Sequence, residues 1–325
     1  MYRHIAVPLD DTRESHSALH WAVTIARAAN CPINLVTVAF PPVYGAELYG
    51  AAVVGDTDVE RMMHDSEQRL RVMADEIEAL GIRATVTVLE GAVPSTLADH
   101  LHATATDLVV MTTHDRRRLE QLLLGSVSHE VVRHVPAPVL LVREGGGEPP
   151  PITTLAAVEH ILVPLDGSVF ASQILPHAAT LAAMMHADVT LLGVLQPTVA
   201  VRTPSPGLGT PPDVPLIPTA VFDVGSDDER AESSNQLLQR AAEPLRARHL
   251  PVRVDVLVDG RPAHAIIDYA RRHDVDLVAM TTHGHGALQR IVVGSVSETV
   301  LRATPTPVLM YHPDGPKTRS APPAR

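Results

Sequence analysis

One short segment of this sequence places an acid where a parallel sheet could present it to a ligand. Asp166 follows the apolar run Ile161–Leu165, which has the character of a buried strand, and it precedes Gly167 and Ser168. A carboxylate at a strand end can accept hydrogen bonds from a ribose hydroxyl or from an adenine amino group. Asp and Ser are also common N-caps of a following helix, so the spacing alone leaves both a ligand role and a structural role open.

A second segment, Thr281–Ser297, carries glycines and hydroxyls ahead of a helix-like run. Gly284 and Gly294 would let the backbone approach a phosphate closely, and the N–H groups at the start of a helix favour an anion. Ser295 and Ser297 add hydroxyl donors. The alternative is a turn followed by an ordinary serine N-cap, because the glycine spacing differs from the G-x-G-x-x-G of dinucleotide-binding domains.

The scarcity of lysine excludes several kinds of phosphate chemistry. Lys317 is the only lysine, and it lies in a proline-rich tail. A P-loop, a kinase catalytic lysine and a Schiff-base lysine all need a lysine within the folded domain. The sequence also lacks the G-x-S-x-G motif of serine hydrolases. A phosphate ligand must therefore be held by backbone amides, hydroxyls, arginines or a metal ion.

Composition narrows the classes of partner and the compartment. The formal net charge of −11 argues against a general nucleic-acid binder, which normally carries a basic face. Cys31 is the only cysteine, so an intrachain disulfide is impossible and a reducing compartment fits best. No run of about 20 residues is apolar enough to span a bilayer. We expect a cytoplasmic protein that binds neither nucleic acid nor membrane.

The chain contains an internal repeat. Val7–Asp10 recurs as Val163–Asp166, and Leu124–Ser128 recurs as Val293–Ser297. Such matches over a separation this long indicate a duplication of whole domains rather than a solenoid. We expect two domains, at residues 1–145 and 156–313.

Apolar runs alternate with helix-like runs in each copy, which indicates β-α-β crossovers and a parallel sheet. Because aromatic residues make up only 3% of the chain, the core must consist of Val, Leu, Ile and Ala. The expected architecture is α/β, with two tandem doubly wound domains of five parallel strands each. The predicted strands are Ile5–Leu9, Ile33–Phe40, Ala84–Leu89, Leu108–Met111 and Val139–Val142, then Ile161–Leu165, Asp188–Leu195, Val252–Val258, Leu277–Met280 and Val308–Met310. The helices predicted for the first copy are Ser15–Ala29, Asp65–Leu80, Pro94–Ala103 and Ser126–His134.

Proline and glycine mark the segments between these elements. Gln196–Arg230 contains seven prolines and is predicted to be a long loop, whose role the sequence does not indicate. Pro41–Asp56 is its shorter counterpart in the first copy. Glu144–Thr154 is the expected linker, and Pro313–Arg325 is expected to be a disordered tail.

Taken together, these residues resemble universal stress proteins of the ATP-binding kind. That family has an Asp at the end of the first strand and the pattern G-x2-G-x9-G-[ST] after the fourth, and the second copy is similar, with Thr281 in place of the first Gly. The resemblance implies domains of the adenine nucleotide alpha hydrolase-like fold, with ATP and Mg²⁺ as ligands. It implies that Asp166 and Val194 frame the adenosine. The other implied ligand-binding residues of this copy are Met280, Thr281, His283, Gly284, Gly294, Ser295, Val296 and Ser297.

The first copy departs from the motif. Asp115 stands where the second Gly of the pattern belongs, which adds a negative charge beside the expected phosphates. Arg116–Arg118 follow directly and could offset that charge. We expect a weakened or altered site in this copy. The implied residues here are Asp10, Val38, Thr112, Gly125, Ser126 and Ser128.

Three functions fit the sequence. The first is a regulatory protein whose shape or partners depend on bound ATP, with at most slow hydrolysis. The second is an ATP-hydrolysing or adenylyl-transferring enzyme of the same superfamily, and the third is an interaction scaffold without nucleotide. The resemblance also implies that the two copies pair through their last strands, Pro138–Val142 and Pro307–Met310, and that chains form homo-oligomers.

Overall fold

The computed structural model describes residues 1–10, 12–39, 56–113, 126–143, 149–197, 226–282 and 294–313. Strands and helices alternate through both halves of these ranges. The first half contains β1 (Ile5–Pro8), α1 (Ser17–Ala29, preceded by a 3₁₀ turn at Arg13–His16), β2 (Ile33–Ala39), α2 (Asp56–Ala79), β3 (Ala84–Glu90), α3 (Val93–Ala103), β4 (Leu108–Thr113), α4 (Ser126–His134) and β5 (Val139–Arg143).

The second half repeats this order with one extra short helix. It contains β6 (His160–Leu165), α5 (Val169–Ser172), α6 (Leu175–Met185), β7 (Asp188–Leu195), α7 (Asp227–Arg246), β8 (Val252–Val258), α8 (Pro262–Arg272), β9 (Leu277–Thr281), α9 (Ser295–Ala303) and β10 (Val308–Tyr311). The predicted α/β class and the two doubly wound domains are confirmed.

Two predicted boundaries are wrong by more than two residues. Helix α2 begins at Asp56, nine residues before the predicted Asp65, because only the short apolar group Val59, Met62 and Met63 marks its first turns. Helix α7 begins at Asp227, inside the predicted loop Gln196–Arg230. Its start is set by a capping box, in which Ser226 accepts the N–H of Glu229 and Glu229 accepts the N–H of Ser226.

All ten strands form one continuous sheet in the order β3-β2-β1-β4-β5-β10-β9-β6-β7-β8. Within each domain every neighbouring pair is parallel. Strands such as Leu277–Thr281 are buried along their whole length, as expected for a parallel sheet covered by helices on both faces. The aliphatic side chains of the two faces form two core clusters that both extend across the two domains.

An aspartate before the fourth strand fixes the start of the first strand in each domain. Asp107 accepts the backbone N–H groups of Arg3 and His4 at 2.7 and 3.0 Å. Asp276 accepts those of Glu159 and His160 at 2.8 and 3.0 Å. This contact fixes the register of the first strand against the fourth in both domains, that is, of β1 against β4 and of β6 against β9.

The two domains join through their last strands, as predicted. Strands β5 and β10 pair antiparallel, with Leu140 opposite Leu309 and one pair on each side of them. These two leucines occupy equivalent positions in the repeat and are fully buried, so a local two-fold axis passes between them. Because this pairing uses the outer edge of both last strands, neither edge remains open to a second chain.

The linker between the domains packs on helix α1. The hydroxyl of Thr24 accepts the backbone N–H of Ala156 at 2.8 Å and donates to the carbonyl of His20 at 2.8 Å. Ile152 contacts the core beneath. Burial lowers the pKa of His20, and hydrogen bonds to the backbone of Thr154 and Pro151 partly offset that shift. The linker is therefore held by the hydrogen bond to Thr24 and by the packing of Ile152 on the core.

We expect Thr24→Val to lower the free energy of unfolding by about 1–2 kcal/mol, because it leaves the N–H of Ala156 without its partner. Thr180→Val is the matched control: Thr180 is the equivalent threonine of α6, and its exposed hydroxyl donates to the carbonyl of Pro176. Urea unfolding of both variants measures the difference. Equal losses in the two variants would show that the linker contact contributes nothing.

Candidate functional site

The candidate site of the second domain lies where the strand order reverses. Strands β6 and β9 are parallel neighbours, with Ile161 opposite Leu277 and Leu162 opposite Val278. The chain passes from β6 to β7 on one side and later returns to β9 on the other. The carboxyl ends of β6 and β9 therefore border one crevice, which is where doubly wound sheets bind ligands.

Asp166 enters this crevice on a tight turn. Its Oδ1 atom accepts the N–H of Ser168 at 2.9 Å, and Gly167 between them has φ of +80°, in the left-handed region that favours glycine. The hydroxyl of Ser168 caps α5 by accepting the N–H of Ala171 at 3.0 Å. Asp166 itself is exposed. The structural role and the predicted ligand role are thus compatible, because the turn engages Oδ1 while the carboxylate stays at the surface.

The start of helix α9 forms the other wall of the crevice. Gly294 is the N-cap, with φ of −67° and ψ of 153°, and it has no side chain with which to cap the helix. Its N–H donates to the carbonyl of Thr282 at 2.6 Å, which ties the helix start to the end of β9. The amides of Val296 and Ser297 in the first turn add to the positive end of the helix dipole. This end of α9 suits an anion.

Two predicted hydroxyls have different environments. Ser295 is exposed at the first position of α9. Ser297 is buried, and its hydroxyl donates to the carbonyl of Thr281 at 2.9 Å. Ser297 therefore uses its hydroxyl proton to hold α9 against β9, and what it offers a ligand is its backbone N–H. Thr281 is buried as well, so its side chain forms part of the base of the crevice.

Half-buried apolar side chains continue from the crevice along the ends of the strands. Val194 and Leu257 are register partners at the ends of β7 and β8, and both pack with Val296 against the core beneath. Val38, Leu89 and Val127 occupy the equivalent positions in the first domain and pack in the same way. Such a surface can hold a flat apolar group such as a purine ring. Met280 is buried in that core and lies beneath the crevice.

Two residues of this region were missed by the sequence analysis. Leu257 belongs to a strand that carries no motif, and only its register with Val194 reveals it. His312 follows β10, and its Nδ1 lies 2.8 Å from the Thr282 hydroxyl. The sequence marks His312 only by its position at the end of the last strand, which Arg143 occupies in the first domain.

The first domain repeats much of this arrangement. Asp10 accepts the N–H of Thr12 at 2.9 Å and also its hydroxyl, so the same turn follows β1. Thr112 and Ser128 are buried, and Ser126 begins α4. Predicted residues outside the described ranges are Gly125, His283 and Gly284, together with the motif-breaking Asp115 and its neighbours 116–118.

Within the described ranges, nowhere do three His, Cys, Asp or Glu side chains gather as they would around a metal ion. In the same ranges no helix is both long and apolar enough to cross a membrane.

The sequence profile of the Universal stress protein family matches this chain twice, over residues 1–143 and 157–312. The chain belongs to the universal stress protein family. A universal stress protein of Mycolicibacterium smegmatis is 27% identical over 313 residues, which cover 95% of this chain and 97% of that protein. Another, from Mycobacterium tuberculosis, is 28% identical over 321 residues and 94% of each chain.

A solved structure shows the same fold over the whole length. The crystal structure of a universal stress protein from Archaeoglobus fulgidus covers 95% of this chain and 98% of its own, with a TM-score of 0.66 and 18% identity. The tandem arrangement is therefore shared by other universal stress proteins of this length.

For this universal stress protein we expect Ser297→Ala to lower the free energy of unfolding by about 1–2 kcal/mol, because the buried carbonyl of Thr281 loses its donor. Ser295→Ala is the control, since the hydroxyl it removes is exposed and the gain in helix propensity is the same in both variants. Thermal unfolding compares the two proteins. A loss in Ser295→Ala as large as that in Ser297→Ala would contradict the assignment.

Proposed function

We propose that the second domain binds ATP and that occupancy of this site acts as a regulatory switch. One observation carries the proposal. Asp166 and the start of α9, which has no side-chain cap, lie on opposite sides of one crevice. An acid on one wall suits ribose and adenine donors, and a helix start on the other suits phosphates. Membership of the universal stress protein family supports the same ligand through the motif resemblance.

The proposed pose follows from the chemistry of the walls. The adenine lies over Val194 and Leu257, which are apolar and half-buried. The carboxylate of Asp166 accepts hydrogen bonds from the adenosine. The phosphates accept hydrogen bonds from the amides of Val296 and Ser297 and from the hydroxyl of Ser295. Mg²⁺ would be held by the phosphates and by water, which is the usual way in which proteins bind this ion beside a nucleotide.

We expect Gly294→Val to abolish ATP binding by the second domain, because a branched side chain at the N-cap shields the amides of the first turn. The backbone angles of Gly294 are open to any residue, so the fold should survive. Gly260→Val is the control, since a Cβ on Gly260 meets no atom within 4 Å. Titration calorimetry measures both variants, and unchanged affinity in Gly294→Val would remove the assignment of α9 as the phosphate site.

For the first domain we propose weaker binding, because Asp115 introduces a negative charge where phosphates are expected. In the full chain carrying Gly294→Val, residual ATP binding reports this domain alone. Adding Asp115→Gly should raise the residual affinity by about fivefold or more, since close like charges cost on the order of 1 kcal/mol or more. Residual affinity equal to that of the unaltered second domain would show that Arg116–Arg118 compensate fully.

The proposed switch involves little turnover. Universal stress proteins are generally regulators rather than enzymes, and this chain has no lysine before Lys317. Phosphoryl transfer depends on positioned charge and on an oriented nucleophile. Among the described crevice residues, Asp166 is engaged in its own turn and the hydroxyl of Ser297 is engaged with Thr281.

We expect steady-state ATP hydrolysis far slower than the ~10 s⁻¹ typical of enzymes. ATP should instead raise the melting temperature, because a ligand that binds only the folded state stabilises it. A phosphate-release assay and thermal unfolding with and without ATP measure the two effects. Several turnovers per second that vanish in Asp166→Ala would favour an ATP-hydrolysing enzyme.

We further propose that the protein works in the cytoplasm and that whole chains self-associate. Burial raises the pKa of the Cys31 thiol to about 11. Because Cys31 is the single cysteine of the chain, no intrachain disulfide can form, and a reducing compartment suits the protein. Because β5 and β10 pair inside the chain, contact between chains must use another surface. The outer strands of the sheet, β3 and β8, are the edges that remain.

A further inference from the structure

Three exposed apolar side chains lie near the turn that carries Asp166: two begin the helix that follows it, and one belongs to α7. Val169 and Phe170 of α5 are 81% and 40% exposed, and Leu237 of α7 is 51% exposed. Leu237 lies beside the turn, because a Cβ built on Gly167 would be 3.7 Å from its Cδ1 atom. We refer to Val169, Phe170 and Leu237 as the apolar surface. Large side chains grouped in this way commonly mark a contact with another part of a protein.

The first domain shows that the fold does not require this surface. The repeat aligns Asp166 with Asp10, which places Val169 and Phe170 at the positions of Arg13 and Glu14. The other helix aligns through its buried leucines, Leu238 with Leu70, and places Leu237 at the position of Arg69. All three positions are charged in the first domain and apolar in the second. The difference implies that something covers the apolar surface in the second domain alone.

Residues 198–225 connect the chain after β7 to the N-cap of α7. Arg230 joins the two ends, since its Nη1 donates to the carbonyl of Gln196 at 2.9 Å and to Asp227 at 3.1 Å. Only three of these 28 residues are charged. The large apolar ones are Val199, Val201, Leu208, Val214, Leu216, Ile217, Val221, Phe222 and Val224.

The length of the segment is sufficient to cover the apolar surface. Leu237 lies ten residues beyond Asp227 in α7, which corresponds to about 15 Å along the helix. A segment of 28 residues can extend over about 90 Å, so it can reach the surface and return. A tether of this kind gives an effective concentration in the millimolar range, which favours the chain's own segment over a separate partner.

We propose that residues 198–225 pack on the apolar surface formed by Val169, Phe170 and Leu237. The contact removes apolar area from water on both sides. The contact involves helix α7 and the start of α5, and it requires no bound nucleotide.

Trypsin provides the test, because Arg202 is the only basic residue in the segment. Cleavage after Arg202 in the full native chain depends on how often the segment leaves the surface. Leu237→Arg and Phe170→Glu install the residues of the first domain, and each should speed this cleavage by about fivefold or more. Val169→Arg provides a further variant at the most exposed of the three positions. Cleavage after Lys317 in the tail corrects for protease activity.

Val72→Arg is the matched control. Val72 is 60% exposed on α2, and its equivalent in the second domain is Arg240, so this variant makes the opposite exchange away from the apolar surface. It should leave cleavage after Arg202 unchanged. Equal cleavage in all variants would overturn the proposal. A dimer in light scattering that dissociates in Leu237→Arg, with unchanged cleavage, would overturn it in favour of a second copy as the occupant.

Discussion

The antiparallel contact between β5 and β10 determines how the rest of the molecule is arranged. Every other neighbouring pair in the sheet is parallel. The strands of the second domain therefore run in the opposite direction to those of the first. The carboxyl ends of β1 and β4 consequently face one edge of the sheet, and those of β6 and β9 face the opposite edge. Two ligands can occupy the two crevices without contact, and no single small ligand can join them. Any influence of one crevice on the other must pass through the shared core and the paired strands.

A few polar contacts fix the strand register and the position of a helix start, which apolar packing alone leaves open. The apolar strands choose parallel pairing, but an apolar strand can slide along its neighbour without losing burial. Asp107 and Asp276 prevent this sliding by binding two backbone N–H groups each. The hydroxyl of Ser297 similarly binds the carbonyl of Thr281 and so fixes the distance between a helix start and a strand end. Such contacts therefore help to set the geometry of the crevice.

The sequence predicts the fold well because its signals are local. Buried strands are continuous apolar runs, and the repeat makes each run visible twice. The start of α2 was misplaced because its first turns are marked only by the short apolar group Val59, Met62 and Met63. The hydrogen bond from the hydroxyl of Ser297 to the carbonyl of Thr281 could not be predicted, because the sequence does not tell a buried serine from an exposed one. Leu257 and His312 contribute through strand register and tertiary contact, neither of which a motif encodes.

The pairing of Leu140 with Leu309 inside one polypeptide also changes what the two halves are free to become. In a symmetric homodimer every substitution appears twice, so a change that harms one site harms both. Here each half has its own copy of every position, and dilution cannot separate them. One half can therefore carry a substitution such as Asp115 in its motif, or an apolar surface beside its turn, while the equivalent positions of the other half hold different residues. The covalent link turns a pair of equal sites into a pair that can specialise.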